Sequence, residues 1–300
     1  MRLHKAVIME YFDLHFDTLY RIKTENLAPY SQELSVTPDE LKAFDKFSGF
    51  MAVWVPDCIR KDDAFRFFED CASIYNKFFK SINDDRYKFY LSVENGSVIG
   101  GDISKISALK EYGVKAVTIV YNEDNELGSG AFSDSEFGLT AKGIEAVKEF
   151  ERQDIVVDLS HSSVRTFYDV AENSSKPIIA THSNSYSLCP NRRNLTDEQF
   201  KIIRDSGGVV GVNFYPPFLC SEPESATIYD VIKHIYHFLS LDGENTVCIG
   251  SDFDGCDALK TLDRASKIPV LYESLLKHGF NEQLIQKILY YNAQNFITRF

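Results

Sequence analysis

Eight short apolar runs, rich in β-branched and aromatic residues, recur along the chain at 6–12, 50–55, 89–93, 116–120, 155–159, 177–180, 209–214 and 246–249. Most are nearly continuous hydrophobics, not alternating ones, which is the pattern of parallel strands buried on both faces. Between them, apolar residues repeat at three and four over 64–82, 103–112, 139–150, 164–171, 198–203 and 228–239. This spacing predicts helices there, and two more over 270–277 and 282–300, split by His278 and Gly279. Thr196-Asp197-Glu198-Gln199 reads as a capped helix start, Ser206-Gly207-Gly208 as a stop, and Asn281 as the cap of the last helix. A doubly wound open sheet is the main competitor. No glycine-rich phosphate turn follows the first run, and eight strand–helix units in 300 residues favour an α/β fold of the (β/α)8 TIM-barrel type. With no Ser/Gly linker and no shift in composition, residues 1–300 are expected to form a single domain.

The formal charge is −12, and Lys and Arg form no block, so a nucleic-acid partner is not expected. The six cysteines are scattered without a C-x-x-C pair, which argues against a zinc ribbon or redox motif and fits reduced thiols. Met1-Arg2-Leu3-His4 leads straight into the first run, and no apolar stretch approaches the ~20 residues of a membrane span. The expectation is a cytoplasmic protein with no membrane partner. A homodimer is compatible with an acidic barrel of this size.

Barrel enzymes of this type place their active site at the C-terminal ends of the strands. Reading off those ends gives His15 and Asp17 after the first run, Glu94 after the third and His161 after the fifth. The sixth ends in His182, and the eighth in Asp252 and Asp254. Alone, His15 and Asp17 read equally well as a hydrogen-bonded histidine beside a helix cap. Together with the other three they favour metal, because three imidazoles and two carboxylates exceed what one tetrahedral zinc with an open position needs. Five ligands suit two ions if Glu94 offers one oxygen to each, and the mixed N/O set favours zinc, with manganese, cobalt or iron as alternatives. Asp13, His15 and Asp17 are expected on one strand face. Arg192-Arg193 reads either as a clamp for a substrate carboxylate or as a solvated turn. Asp252 and Asp254, two apart and expected on one face, are both candidate proton shuttles. His4, His234, His237 and His278 fall away from strand ends and read as surface or helix-packing residues.

The ordered set His15-x-Asp17, Glu94, His161, His182, Arg192-Arg193-Asn194 and Ser251-Asp252-Phe253-Asp254-Gly255 resembles the membrane (renal) dipeptidase family of binuclear zinc peptidases on an amidohydrolase-like barrel. The most specific segments are Asp158-Leu159-Ser160-His161-Ser162-Ser163 and Thr181-His182-Ser183-Asn184-Ser185-Tyr186-Ser187-Leu188-Cys189. The resemblance implies a dipeptidase acting on dipeptides through a hydroxide bridging two zinc ions. His15, Asp17 and Glu94 would bind one ion, and Glu94, His161 and His182 the other. Arg193 would hold the substrate's C-terminal carboxylate, and Asp252 would carry a proton to the leaving amine. The family's histidine after the fourth strand is replaced here by Tyr121, whose phenol can still donate to the substrate carbonyl. The alternatives are an amidohydrolase acting on another small amide, ester or lactam, or a catalytically weakened metal-binding homologue.

Overall fold

The computed structural model describes residues 9–80, 82, 84–135 and 137–300. Strands and helices follow in the order β1 Glu10–Phe16, α1 Thr18–Thr24, β2 Lys46–Trp54, α2 Asp62–Phe78, β3 Tyr87–Glu94, α3 Lys105–Tyr112, β4 Val114–Thr118, α4 Ala141–Arg152, β5 Val156–Asp158, α5 Val164–Asn173, α6 Asp197–Asp205, β6 Val210–Val212, α7 Pro216–Leu219, α8 Ile228–Ser240, β7 Val247–Ile249, α9 Ile268–Lys277, α10 Glu282–Gln286 and α11 Asn292–Ile297. All the strand pairs are parallel, in the order β5-β4-β3-β2-β1-β7-β6.

The eighth stave lies between the two ends of that sheet. Ile179 pairs with Asp158 and Ala180 with Val210, both parallel. Leu159 N–H donates to the Ile179 carbonyl at 2.8 Å, and Gly211 N–H to the Ala180 carbonyl at 2.9 Å. The sheet is therefore a ring. The sixth apolar run supplies this stave as two isolated bridges, because Pro177 has no N–H to extend the ladder upstream. Gly211 and Gly250 stand directly over the Thr181 carbonyl, where a Cβ on either would collide with it.

The core occupies two places. Inside the ring, Phe12, Phe50, Tyr90, Ala116, Val156, Ile179, Val209 and Cys248 form one buried cluster, closed below by Tyr290, Ala293, Phe296 and Ile297 of the chain's end. A larger cluster packs the outer face of the strands against the helices. These two layers are why the strands read as continuous hydrophobics.

Several expectations shift. Among the described residues the first strand runs over Glu10–Phe16, past the expected end at 12, and residues 6–8 lie outside the described residues. Its upper half is polar, so hydrophobicity alone ends it too early. A register shift between Asp13 and Phe16 breaks the alternation, and Asp17 falls at the N-cap position of α1 instead of sharing a strand face with Asp13. The last helix, expected unbroken over 282–300, is interrupted by a π-helical stretch at Lys287–Tyr291. There Asn292 donates to the carbonyls of Glu244 and Val247, fastening the plug to the foot of β7. The caps are as the spacing predicts: Thr196 and Gln199 form a capping box, and Asn281 accepts from Leu284 N–H. No helix among the described residues is long and apolar enough to cross a membrane.

Candidate metal centre

The ring brings His15, Asp17, Glu94, His161 and His182 together at its C-terminal mouth, all buried. Glu94 is the last residue of β3 and stands at the centre. Its Oε1 lies 2.8 Å from His161 Nε2 and 3.4 Å from His182 Nε2, while its Oε2 faces His15 Nε2 at 3.7 Å. His15 Nε2 is in turn 3.3 Å from Asp17 Oδ2. One carboxylate thus looks toward two separate donor sets. Metal-competent groups form at Glu94, His161 and His182, and again at His15, Asp17 and Asp252.

A third grouping, His15, Asp158 and His182, has a different character. Asp158 Oδ1 accepts from Ser160 N–H and Thr181 N–H, and its Oδ2 from the Thr118 and Thr181 hydroxyls. With four donors on two oxygens, Asp158 is occupied as a support for its neighbours, and the other two groupings among the described residues are the ones with atoms available to an ion.

The donor chemistry fits divalent metal. His161 Nδ1 is engaged by Asn122 Oδ1 at 2.9 Å and His182 Nδ1 by Thr181 Oγ1 at 2.9 Å. Their Nε2 atoms then face each other at 2.9 Å. His15 Nε2 and Asp17 Oδ1 are buried without a hydrogen-bond partner among the described residues. Such atoms are costly in an apolar interior unless a cation meets them. The ionisation equilibria carry the same message. Burial, then the Arg193 charge, pushes His161 down to about 3. Burial, then the His15 charge, holds His182 well below its ordinary range. Burial would lower His15 too, but Asp17 and Glu94 outweigh it and hold His15 well above its ordinary value. Burial likewise raises Glu94, and the charges of His15 and His161 overcome it, so Glu94 stays ionised. Asp17 is pushed up to about 8, chiefly by burial.

A cavity of about 500 Å³ opens above these groups, within the size range of small-molecule sites. Asp252 lines it, held by Asn213 Nδ2 at 3.0 Å from its Oδ2. Asn213 Oδ1 accepts from Tyr215 N–H, which fixes the amide's orientation. Asp254 does not join the site. Thr18 Oγ1, Arg21 and Ser35 N–H all bind its carboxylate, tying the 31–37 loop to the barrel rim. The expected common face is absent because both aspartates have φ of +64°, so the segment is a turn and not a strand.

The arginine pair divides in the same way. Arg192 is exposed, whereas Arg193 is 3% exposed, with Nη2 donating to the His182 carbonyl at 3.3 Å and its guanidinium 5.4 Å from the Phe218 ring. Arg193 Nε has no hydrogen-bond partner among the described residues. A buried guanidinium with idle donors is an anion receptor. Tyr121 lines the cavity with its ring 4.4 Å from His161 and 5.2 Å from Trp54. Burial, then Glu94, raises its phenol, so it remains a donor at neutral pH.

His234 is fully buried, with Nδ1 accepting from Ser185 N–H and Nε2 bonded to the Leu219 carbonyl. His237 pairs with Asp197, His278 is exposed, and His4 lies outside the described residues. Asn122, Asp158, Thr181 and Asn213 escaped the sequence reading. Each sits at or beside a strand end: Asn122, Thr181 and Asn213 are amides or a hydroxyl, which the search for histidines and carboxylates passes over, and Asp158 is a carboxylate overshadowed by His161 three residues on.

Residues 58–299 match the model of the family described as membrane dipeptidase, peptidase family M19. An uncharacterized Klebsiella pneumoniae protein of the pqqA 5′ region is 34% identical over 209 residues, 67% of this chain and 77% of that one. An uncharacterized dipeptidase of Schizosaccharomyces pombe is 34% identical over 226 residues, 72% of this chain; the match spans only 54% of that relative's length. Among solved structures, a Rhodobacter sphaeroides metallopeptidase liganded with a phosphinate mimic of the dipeptide L-Ala-D-Ala superposes with a TM-score of 0.89. It is 25% identical, with 97% of this chain and 99% of that one covered. Dipeptidase AC, a metallopeptidase of family M19, gives a TM-score of 0.90 at 26% identity, covering 97% of this chain and 98% of its own.

Proposed function

Because this chain belongs to the membrane dipeptidase family, peptidase family M19, and is a metal-dependent dipeptidase, we propose that it holds two zinc ions in the carboxylate–imidazole cluster and hydrolyses dipeptides in the cavity above. The observation that carries this reading is Glu94, whose two oxygens face different donor sets. His15, Asp17 and Glu94 Oε2 would hold one ion, and Glu94 Oε1, His161 and His182 the other. Bound there, such ions lower the pKa of water and polarise a carbonyl. Zinc suits imidazoles mixed with carboxylates, and manganese or cobalt would be accepted by the same set.

The chain's own groups do the rest. Arg193 pairs its idle donors with the C-terminal carboxylate of the substrate, which fixes the register of the scissile bond. The Tyr121 phenol, facing the cavity beside His161, donates to the oxygen of the attacked carbonyl as negative charge develops on it. Asp252 takes the proton that the attacking water loses. Its Oδ2 is held by Asn213, so the proton goes to Oδ1 and from there to the departing amine. Burial, then Glu94, raises this carboxyl above its ordinary value, which makes it a better proton acceptor than a solvated aspartate.

Zinc-loaded protein incubated with a panel of L,L and L,D dipeptides, L-Ala-D-Ala among them, tests the proposal. Turnover with two ions bound per chain is the expected result. No turnover of any member by the metal-loaded protein would overturn it. Faster hydrolysis of small amides or lactams that lack a carboxylate would favour the broader amidohydrolase reading.

A further inference from the structure

We propose that Thr181 is a positioning residue shared by both halves of the metal centre, its single hydroxyl fixing the tautomers of His15 and His182 together. The inference rests on the metal reading above and concerns a residue that touches neither substrate nor ion.

A threonine hydroxyl has one proton to give and two lone pairs to receive with. The Thr181 proton is committed to Asp158 Oδ2, on a carboxylate whose other contacts are all incoming donors. Toward the imidazoles, Thr181 Oγ1 is therefore an acceptor. His182 Nδ1 lies 2.9 Å from it and His15 Nδ1 lies 3.4 Å from it. Both rings must carry hydrogen on Nδ1 to make these contacts, and each then turns an Nε2 lone pair toward Glu94. Imidazoles that bind metal have their tautomer set by what the other nitrogen meets. His15 and His182 belong to different donor sets, and they come from staves far apart in sequence. Their rings are nevertheless neighbours, with centroids 3.9 Å apart, and one oxygen serves both. His161 is set independently, by Asn122.

Two features hold Thr181 in place for this task. Its N–H donates to Asp158 Oδ1, so the same carboxylate grips both the backbone and the side chain. Its carbonyl is crowded by the positions where Gly211 and Gly250 would carry side chains, which leaves the segment no lateral room. The relay Asp158–Thr181–imidazole therefore supports one ligand of each proposed ion. Loosening Thr181 should weaken the two sites in concert.

The test is zinc affinity at each site, measured by competition with a chromogenic chelator for wild type, Thr181→Val and Thr181→Ser. Valine keeps the shape and loses the hydroxyl, while serine keeps the hydroxyl. Thr181→Val is expected to bind both ions roughly 10–100-fold more weakly, the usual cost of losing a support of this kind, with Thr181→Ser restoring most of the loss. Long-range ¹H–¹⁵N correlation on zinc-loaded wild type is expected to show hydrogen on Nδ1 of both His15 and His182. Weakening at one site only, unchanged affinity at both, or hydrogen on Nε2 of either ring would overturn the shared role. The spectroscopic arm can still overturn the shared role if Thr181→Val does not fold. A wild type that takes up no ion would overturn the metal reading itself, a failure distinct from any of these.

Discussion

His161 and His182 present their Nε2 atoms to each other at 2.9 Å, each ring having spent its other nitrogen on a neutral oxygen. Two facing lone pairs at that distance repel, and Glu94 Oε1 adds a third acceptor beside them. The arrangement is at ease only around a cation. Stripping the protein with a chelator is expected to lower its melting temperature and abolish peptidase activity, with zinc restoring both. Glu94→Gln should cut the bound ions below two per chain and reduce kcat/KM by more than roughly 100-fold, since losing even a supporting residue costs up to that much. Elemental analysis and steady-state kinetics read the two effects.

Arg193 is buried beneath Phe218 with donors to spare. Removing one partner of a buried, hydrogen-bonded charge pair costs about 2–5 kcal/mol. Arg193→Ala is therefore expected to lower kcat/KM for dipeptides by roughly 30-fold or more. Dipeptide amides, which lack the carboxylate, should be handled equally poorly by wild type and variant. Arg193→Lys should not rescue the loss, because an ammonium lacks the planar fork. A loss in Arg193→Ala that is as large on the amides would remove the carboxylate role.

The phenol of Tyr121 stays protonated across the neutral range. Tyr121→Phe keeps the ring against Trp54 and His161 and deletes only the donor. A fall in kcat on the order of 10²-fold with little change in bound metal is expected, the scale of losing one oxyanion donor. Tyr121→His should recover part of it. Unaltered kcat in Tyr121→Phe would reduce Tyr121 to a wall of the cavity.

His234 carries a prediction about stability. Burial, the largest effect, pushes it down to about 4 from its ordinary 6.5, against a smaller opposing push from the Leu219 carbonyl. Between those values the unfolded chain binds a proton that the folded protein refuses. The contribution is thus intact above pH about 6.5 and is lost as the pH falls toward 4, by roughly 3 kcal/mol in all. His234→Gln can keep both of its hydrogen bonds, to Ser185 N–H and the Leu219 carbonyl, without titrating. Its urea midpoint should change less between pH 7 and pH 5 than that of wild type, and parallel slopes would exclude His234 as the source.

The sequence carried the ring and the cluster for one reason. A histidine or glutamate that ends a buried apolar run has no packing role to explain it, so His161, His182 and Glu94 were visible as strand ends. Asp252 and Asp254 are equivalent in sequence, and only the turn, with both residues at positive φ, sends one to the cavity and the other to Arg21 and Ser35. The supports were hidden because they act over long separations: Asn122 reaches His161 across 39 positions, and Asn213 reaches Asp252 across another 39. Short polar residues in loops are too common for such partnerships to stand out. The π-helical stretch at Lys287–Tyr291 was hidden by its own regularity, since apolar residues continue through it at helical spacing.

The stave at residues 178–181 is held by two isolated bridges, yet it bears Thr181, leads directly into His182 and has glycines pressed over its backbone. It works as a clasp. His182 reaches Glu94 only when this stave is seated between β5 and β6, so the ligand and the closure of the wall come together. A wall left open at this stave would leave Glu94 without one of its imidazole neighbours.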